Sequence, residues 1–193
     1  MFDNQLMQQI RQRFCYVDSC PYQGERIFFE NAGGSLTLKS VVETNTHFAA
    51  IPDNQGRDNP ASQELVRVIA QARDDMRSFL GVEDGPVFIG ESGTELLFRL
   101  VRAAVLGSNA GGNIVGSTLE HPATVSACKR WGGIADKEYR AAAHDNETAT
   151  VTAEDYSKVV DANTRVATII HTSPVTGMSV NVAAVVALIR AVS

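Results

Sequence analysis

Three short segments of this 193-residue chain carry residue types that can do chemistry together. The first is Gly90-Glu91-Ser92-Gly93-Thr94-Glu95, lying between the apolar run Pro86 to Ile89 and the periodic set Leu96, Leu97, Leu100, Val101 and Ala104. That order predicts a strand, a tight loop and a helix. A helix N-terminus offers free N–H groups and a partial positive charge, a setting suited to a phosphate. Gly93 admits close approach, and Ser92 and Thr94 add hydroxyls. The same residues equally serve an ordinary helix start capped by Ser92 or Thr94.

The second segment is Leu119-Glu120-His121-Pro122, at the end of a predicted strand. An imidazole there can stack on a heteroaromatic ring or act as acid or base, or it can simply hold a helix start. The third is His171-Thr172-Ser173-Pro174-Val175-Thr176-Gly177, again after a predicted strand, and also readable as a plain turn. In an open parallel sheet, ligands collect beyond the carboxyl ends of the strands, so these loops should share one edge. The glycine segment lacks the Lys of a Walker A loop, and it is neither G-x-G-x-x-G nor G-x-S-x-G. His47 and His144 fall in polar surroundings and receive no role.

The elements that must position these loops follow from periodicity. Leu6, Met7, Ile10 and Phe14 predict a short amphipathic helix. Ile27 to Phe29 predicts a strand, Ser35 to Ala50 a helix and 51–60 a loop. Leu65, Ile69, Ala72, Met76 and Phe79 form one apolar stripe on a helix from Ala61 to Leu80, stopped by Gly81. Strands at Pro86–Ile89, Asn113–Val115, Tyr139–Ala143 and Val166–Ile170 then alternate with helices. These are Thr94–Leu106, Pro122–Trp131, a start at Thr152 leading to Val160, and Val180–Val192. Strand and helix alternating with short connections argue for an α/β fold with a mostly parallel sheet.

Bulk properties narrow the function classes. The net charge is −5 with acids and bases interspersed, which disfavours nucleic acid and anionic membranes as partners. No apolar run is long enough to span a bilayer, and the N-terminus lacks a secretory pattern. Cys15, Cys20 and Cys128 form no disulfide framework, so a reducing cytoplasm is the simplest compartment. Cys15 and Cys20 have no matching ligand pair, which disfavours zinc.

Taken together, the segments resemble the class V aminotransferases that depend on pyridoxal 5'-phosphate (PLP), and especially their cysteine desulfurase-like branch. IFFENAGGS at Ile27 to Ser35 is similar to the family's opening strand and turn. Arg57 to Ser62 looks like its Gly-Asn-Pro-Ser-Ser loop, and Ala72-Arg73 and Phe79-Leu80-Gly81 fall where its long helix carries Ala-Arg and ends. Ser92 to Glu95 looks like its Gly-Thr-Glu phosphate segment, Glu120-His121 like its Glu-His pair, and His171 to Gly177 like its His-Val-Ser-Asn-x-x-Gly segment. The resemblance implies a PLP-dependent transferase of fold type I, the aspartate aminotransferase-like large domain, here incomplete.

It also implies roles. Ser92, Gly93, Thr94, His121 and Ser173 would bind the cofactor, with His121 stacked on its ring and helping proton transfer. Asn31, Ala32 and Gly33 would lie near an amino acid substrate. A homodimer is implied for the full-length enzyme. Where the family has an Asn against the cofactor's phenolic oxygen, this chain has Pro174, which marks a divergent subfamily. The family's pyridine-pairing Asp and Schiff-base Lys would lie beyond the last matched segment, and Lys39, Lys129, Lys137 and Lys158 do not replace that Lys. Cys128 is not the desulfurase cysteine, which would also be downstream. The expected organisation is an N-terminal segment at 1–50 and the first part of the large domain at 51–193, truncated before that lysine. The expected function is therefore the N-terminal part of a PLP-dependent lyase or transferase acting on an amino acid. A non-catalytic binding or remnant protein that keeps half of the fold is the alternative. An unrelated nucleotide-binding or hydrolase domain is disfavoured by the missing motifs.

Overall fold

The computed structural model describes residues 2–52 and 56–193, so part of the loop expected at 51–60 lies outside the described residues. The chain forms two compact units, Met1–Val87 and Phe88–Ser193. The boundary expected between residues 50 and 51 falls inside the first.

In the first unit, α1 (Asn4–Gln12) starts at Asp3, whose carboxylate accepts the Leu6 N–H at 2.7 Å. A hairpin of β1 (Ser19–Cys20) and β2 (Gly24–Glu25) follows, which the sequence pattern does not announce. Next come α2 (Lys39–Ala49) and α3 (Pro60–Leu80). Helix α2 begins at Lys39 and not at Ser35, because Leu38 is held in a bridge to Phe14 and Lys39 N–H bonds to the Arg13 carbonyl at 2.9 Å. Asn59 caps α3 by accepting the Ser62 N–H at 2.9 Å, Pro60 fills the first turn, and Gly81 ends the helix at φ 66°.

Ile27 to Phe29 is not a strand. These residues join no ladder among the described residues, and Ile27 and Phe29 are 85% and 88% exposed. Their apolar types favour a strand, but a strand also needs a neighbour to bond to. Pro86 to Ile89 departs from expectation for the same reason, with Phe88 78% exposed.

The second unit is a three-layer α/β/α arrangement. It contains α4 (Gly93–Gly107), β3 (Asn113–Ser117), α5 (Pro122–Ile134), β4 (Glu138–Ala142), α6 (Ala153–Ser157), β5 (Thr164–Ala167) and α7 (Val182–Val192). The sheet is parallel throughout, in the order β4-β3-β5, with every residue of β3 buried. Successive residues of β3 face opposite layers. Ile114 packs with Val101, Val105, Ala127 and Cys128 from α4 and α5. Val115 packs with Val151, Tyr156, Val180 and Val185 on the other side. Both faces of β3 are therefore covered, and its end residues Asn113 and Ser117 are buried polar groups.

Polar groups at the amino edge of the sheet are paired. Asn113, 1% exposed, donates to Asp161 Oδ1 and accepts from the Thr164 hydroxyl, both at 2.9 Å. Arg140 completes the group with a 2.6 Å contact to the second Asp161 oxygen. Lys137 is buried and donates to the backbone carbonyls of Gly111, at 2.6 Å, and Asn109. Several bounds differ from expectation, two of them at element ends that matter for packing. Helix α6 stops at Ser157, and β5 stops at Ala167, short of Ile170.

Candidate functional site

The site grows from three places where the chain leaves regular structure. At the start of α4, Ser92 is the N-cap, its hydroxyl accepting the Glu95 N–H at 3.2 Å. The expectation that Ser92 or Thr94 caps the helix resolves to Ser92. Thr94 therefore keeps its hydroxyl free of capping, and the Gly93 and Thr94 N–H groups lie in the first turn, where no intrahelical acceptor exists. Ser92, Gly93 and Thr94 are exposed, and nothing lies within 4 Å of where a Gly93 Cβ would stand.

Glu95 is the acid of the first turn, and its side chain reaches back over Gly90, where an added Cβ would meet its Oε2 and, at 2.7 Å, the Leu96 Cδ2. Its other oxygen pairs with Arg99 at 2.5 Å. Gly90 gives the Glu95 and Leu96 side chains room over the loop. The exposed first turn of α4 offers backbone N–H groups suited to an anion.

His121 lies at the end of the turn that follows β3. It is exposed, and its Nδ1 accepts the Ala123 N–H at 3.1 Å, making it the N-cap of α5. With Nδ1 engaged as acceptor, the neutral ring carries its proton on Nε2. The structural role and a role towards a ligand are therefore compatible: one nitrogen holds the helix and the other is a free donor.

His121 borders a cavity of about 540 Å³ with Glu120 and Thr124, the α4 residues Leu97, Leu100, Val101 and Ala104, and the stretch Val166 to Ile170. One apolar helix face, one imidazole and one sheet edge thus enclose space of ligand size. Thr94 sits one turn before Leu97 on α4, outside this lining, and Ser173 lies three residues beyond Ile170. None of the four lysines lines the cavity.

Ser173 is 1% exposed, and its hydroxyl accepts the Val175 and Thr176 N–H groups, both at 3.2 Å. It organises the turn that carries the exposed Pro174, closed by the Ser173 N–H to the Met178 carbonyl at 3.0 Å. Asn31, Ala32 and Gly33 belong to the first unit and form an exposed turn, with the Gly33 N–H on the Glu30 carbonyl at 3.0 Å. Asn31 there borders a separate cavity of about 360 Å³.

Two contacts escape a reading of motifs. Glu120 is 8% exposed, and its Oε1 accepts the Ile170 N–H at 2.9 Å. Burial raises its carboxyl pKa, partly offset by that N–H and by the Ser117 hydroxyl. The motif marks Glu120 as a member of the Glu120-His121 pair but not the partner it bonds. Thr118 makes the second. Its hydroxyl accepts the His144 N–H at 2.9 Å and lies 2.7 Å from His144 Nδ1, tying the β3 turn to the segment after β4.

The α/β/α layering, parallel sheet and strand-end loops are those of an open α/β fold, and solved structures of the PLP-dependent transferase fold of type I superpose on this chain. The apo cysteine desulfurase from Thermococcus onnurineus NA1 matches with a TM-score of 0.77 at 18% identity, over 91% of this chain and 44% of that one. The cysteine desulfurase CsdA from Escherichia coli matches with a TM-score of 0.73 at 16% identity, over 99% and 47%. A mutant of the protein C-DES with glycine covalently linked to its PLP cofactor matches with a TM-score of 0.71 at 19% identity, over 86% and 43%. The chain therefore spans less than half the length of these proteins. The aminotransferase class-V family model matches residues 27–193, and the chain belongs to that family. No curated protein matches it.

Proposed function

We propose that this chain supplies the phosphate- and ring-binding part of a PLP-dependent enzyme that acts on an amino acid, as a desulfurase-like lyase or a transferase. The observation that carries this reading is the pairing of an exposed, Ser92-capped α4 N-terminus with a cavity lined by the same helix and by His121. When bound, PLP supplies an electron sink for bonds at the amino acid's α-carbon. The Gly93 and Thr94 N–H groups and the Thr94 hydroxyl would hold its phosphate. The His121 ring would lie flat against the pyridine, with its Nε2 proton available to the reacting region. Ser173 would act by shaping its turn, since its hydroxyl is already engaged by two backbone donors. The apolar lining from Leu97, Leu100 and Ile169 would keep water from the ring's underside.

The four lysines are placed elsewhere. Lys158 pairs with Asp155, Lys137 is held by two carbonyls, Lys39 begins α2 and Lys129 lies within α5. The lysine that links the cofactor would therefore come from outside these residues, and Asn31 to Gly33 would face the substrate. A homodimer and a cytoplasmic setting belong to the same reading.

The test uses pyridoxine 5'-phosphate, which needs no lysine, and follows its ³¹P signal on titration with the chain. Thr94→Ala should weaken binding roughly ten- to hundredfold, since hydrogen bonds to a charged group are worth about 1.5–3 kcal/mol. His121→Ala should weaken it while leaving the phosphorus shift of the bound state in place. No binding by the wild-type chain, or equal binding by Thr94→Ala, would remove the phosphate site from α4.

A further inference from the structure

The loop that presents His121 is anchored by a side chain that neither the family resemblance nor the proposed function assigns a role. The ladder between β3 and β5 ends where the Thr168 N–H meets the Val115 carbonyl at 2.8 Å. Beyond Ser117 the chain of β3 turns away, and the Ile170 N–H would have no backbone acceptor. The Glu120 carboxylate takes that place, accepting at 2.9 Å from 50 residues further along the chain. A buried backbone donor is thereby satisfied, and the peptide leading into His121 is tied to the segment following β5.

A buried carboxylate is costly unless it is paired, and among the described residues no ion pair joins a cation to this one. Its surroundings are the Ser117 hydroxyl and the buried groups Cys128, Tyr139 and Tyr156, whose pKa values burial pushes up and which are therefore uncharged. The side chain is kept in an unfavourable place, and the bond it makes there joins two ligand-side loops. Glu120 also ends one residue before the α5 N-cap, so displacing it must move the Nδ1 contact of His121.

We propose that Glu120 is a positioning residue that sets the place and tautomer of His121 by clamping its loop to the Ile170 backbone. The clamp itself stands on the geometry alone, and its consequence for a ligand rests on the proposed PLP site. The substitution Glu120→Gln keeps an acceptor oxygen at the same reach. Glu120→Asp shortens the side chain by one methylene and should lose the bond, and Glu120→Ala removes it.

The experiment is NMR on the ¹⁵N-labelled full chain, reading exchange of the Ile170 amide and the ring nitrogens of His121. In Glu120→Asp and Glu120→Ala the Ile170 amide should exchange at least tenfold faster. His121 should at the same time lose the signature of an acceptor Nδ1. Glu120→Gln should keep both. Because Ala leaves the Ile170 N–H without an acceptor and threatens the fold of the second unit, Asp is the decisive lesion and Gln its rescue. The proposal is overturned if Asp leaves His121 unchanged, if the two readouts move independently, or if Gln fails to rescue. Titration with pyridoxine 5'-phosphate separates the two layers. Linked NMR changes with no wild-type binding would sink the PLP reading and keep the clamp. Wild-type binding that Glu120→Asp leaves equally tight would sink the clamp's role at the site.

Discussion

Helix α5, which begins at His121, carries two adjacent glycines with opposite surroundings. A Cβ added to Gly132 would stand 2.8 Å from the Lys137 backbone oxygen and 3.0 Å from Ile114 Cδ1, whereas nothing lies within 4 Å of one added to Gly133. Gly132 is buried and its carbonyl accepts the Lys137 N–H at 2.9 Å, so the chain reverses into β4 directly against it. Alanine in place of glycine in a helix is worth about 0.5–1 kcal/mol. Overpacking against backbone costs about 1–3 kcal/mol. The helix term is common to both positions, so the difference between Gly132→Ala and Gly133→Ala isolates the clash, about 1–3 kcal/mol. Gly133→Ala should be stabilised and Gly132→Ala destabilised. In urea, with a slope near 2 kcal/mol/M, their midpoints should differ by about 0.5–1.5 M. Circular dichroism at 222 nm on the two variants measures this directly. Equal midpoints, or a more stable Gly132→Ala, would refute the close seating of α5 on the start of β4.

Three further outcomes are expected. Burial pushes the Cys128 thiol up to about 11, while backbone donors at Tyr22 and Gln23 lower that of Cys20, so a thiol reagent at pH 8 should label Cys15 and Cys20 in the folded chain and Cys128 only after unfolding. Labelling of three thiols in the native state would contradict that burial. Thr152→Ala removes one half of the capping box of α6 and should cost about 1 kcal/mol in thermal unfolding. Lys158 and Thr152 hold the Asp155 carboxyl down at about 2, so its contribution is present above the ordinary 3.8 and is lost as pH falls through that interval; the acid limb should move to higher pH in Thr152→Ala. Asn113→Ala strips partners from Asp161 and Thr164 and should cost about 1–3 kcal/mol, read by the same denaturation assay.

The sequence makes legible those parts of the fold that one segment can determine. Leu96 to Ala104 and Leu65 to Phe79 show their period because a helix satisfies its own backbone, and α4 and α3 stand where that period puts them. Asn113 to Val115 reads as a strand, and β3 stands there with both faces covered. Ile27 to Phe29 and Pro86 to Ile89 mislead because pairing depends on a second segment that local residue types do not reveal. The bounds of β5 and α2 are set the same way, by Glu120 taking the Ile170 donor and by Phe14 holding Leu38. At the site, Gly93, Thr94 and His121 stand out as residue types at element ends. Glu120 stands out only as the neighbour of His121 in the Glu-His pair, and its bond to Ile170, 50 residues away, leaves no mark in the sequence.

The order β4-β3-β5 has a consequence for how the second unit comes into being. Its first strand in the chain occupies the centre of the sheet, and Asn113 aligns with Glu138 on one side and Thr164 on the other. A chain leaving the ribosome would therefore extend this sheet only outward. Each new strand meets an edge that already exists, and none must be wedged between two that have already joined. β3 and β4, linked through α5 alone, would settle first. The closing of the Glu120 bond to Ile170 would then mark the moment at which the second flank, and with it the wall beside His121, is complete.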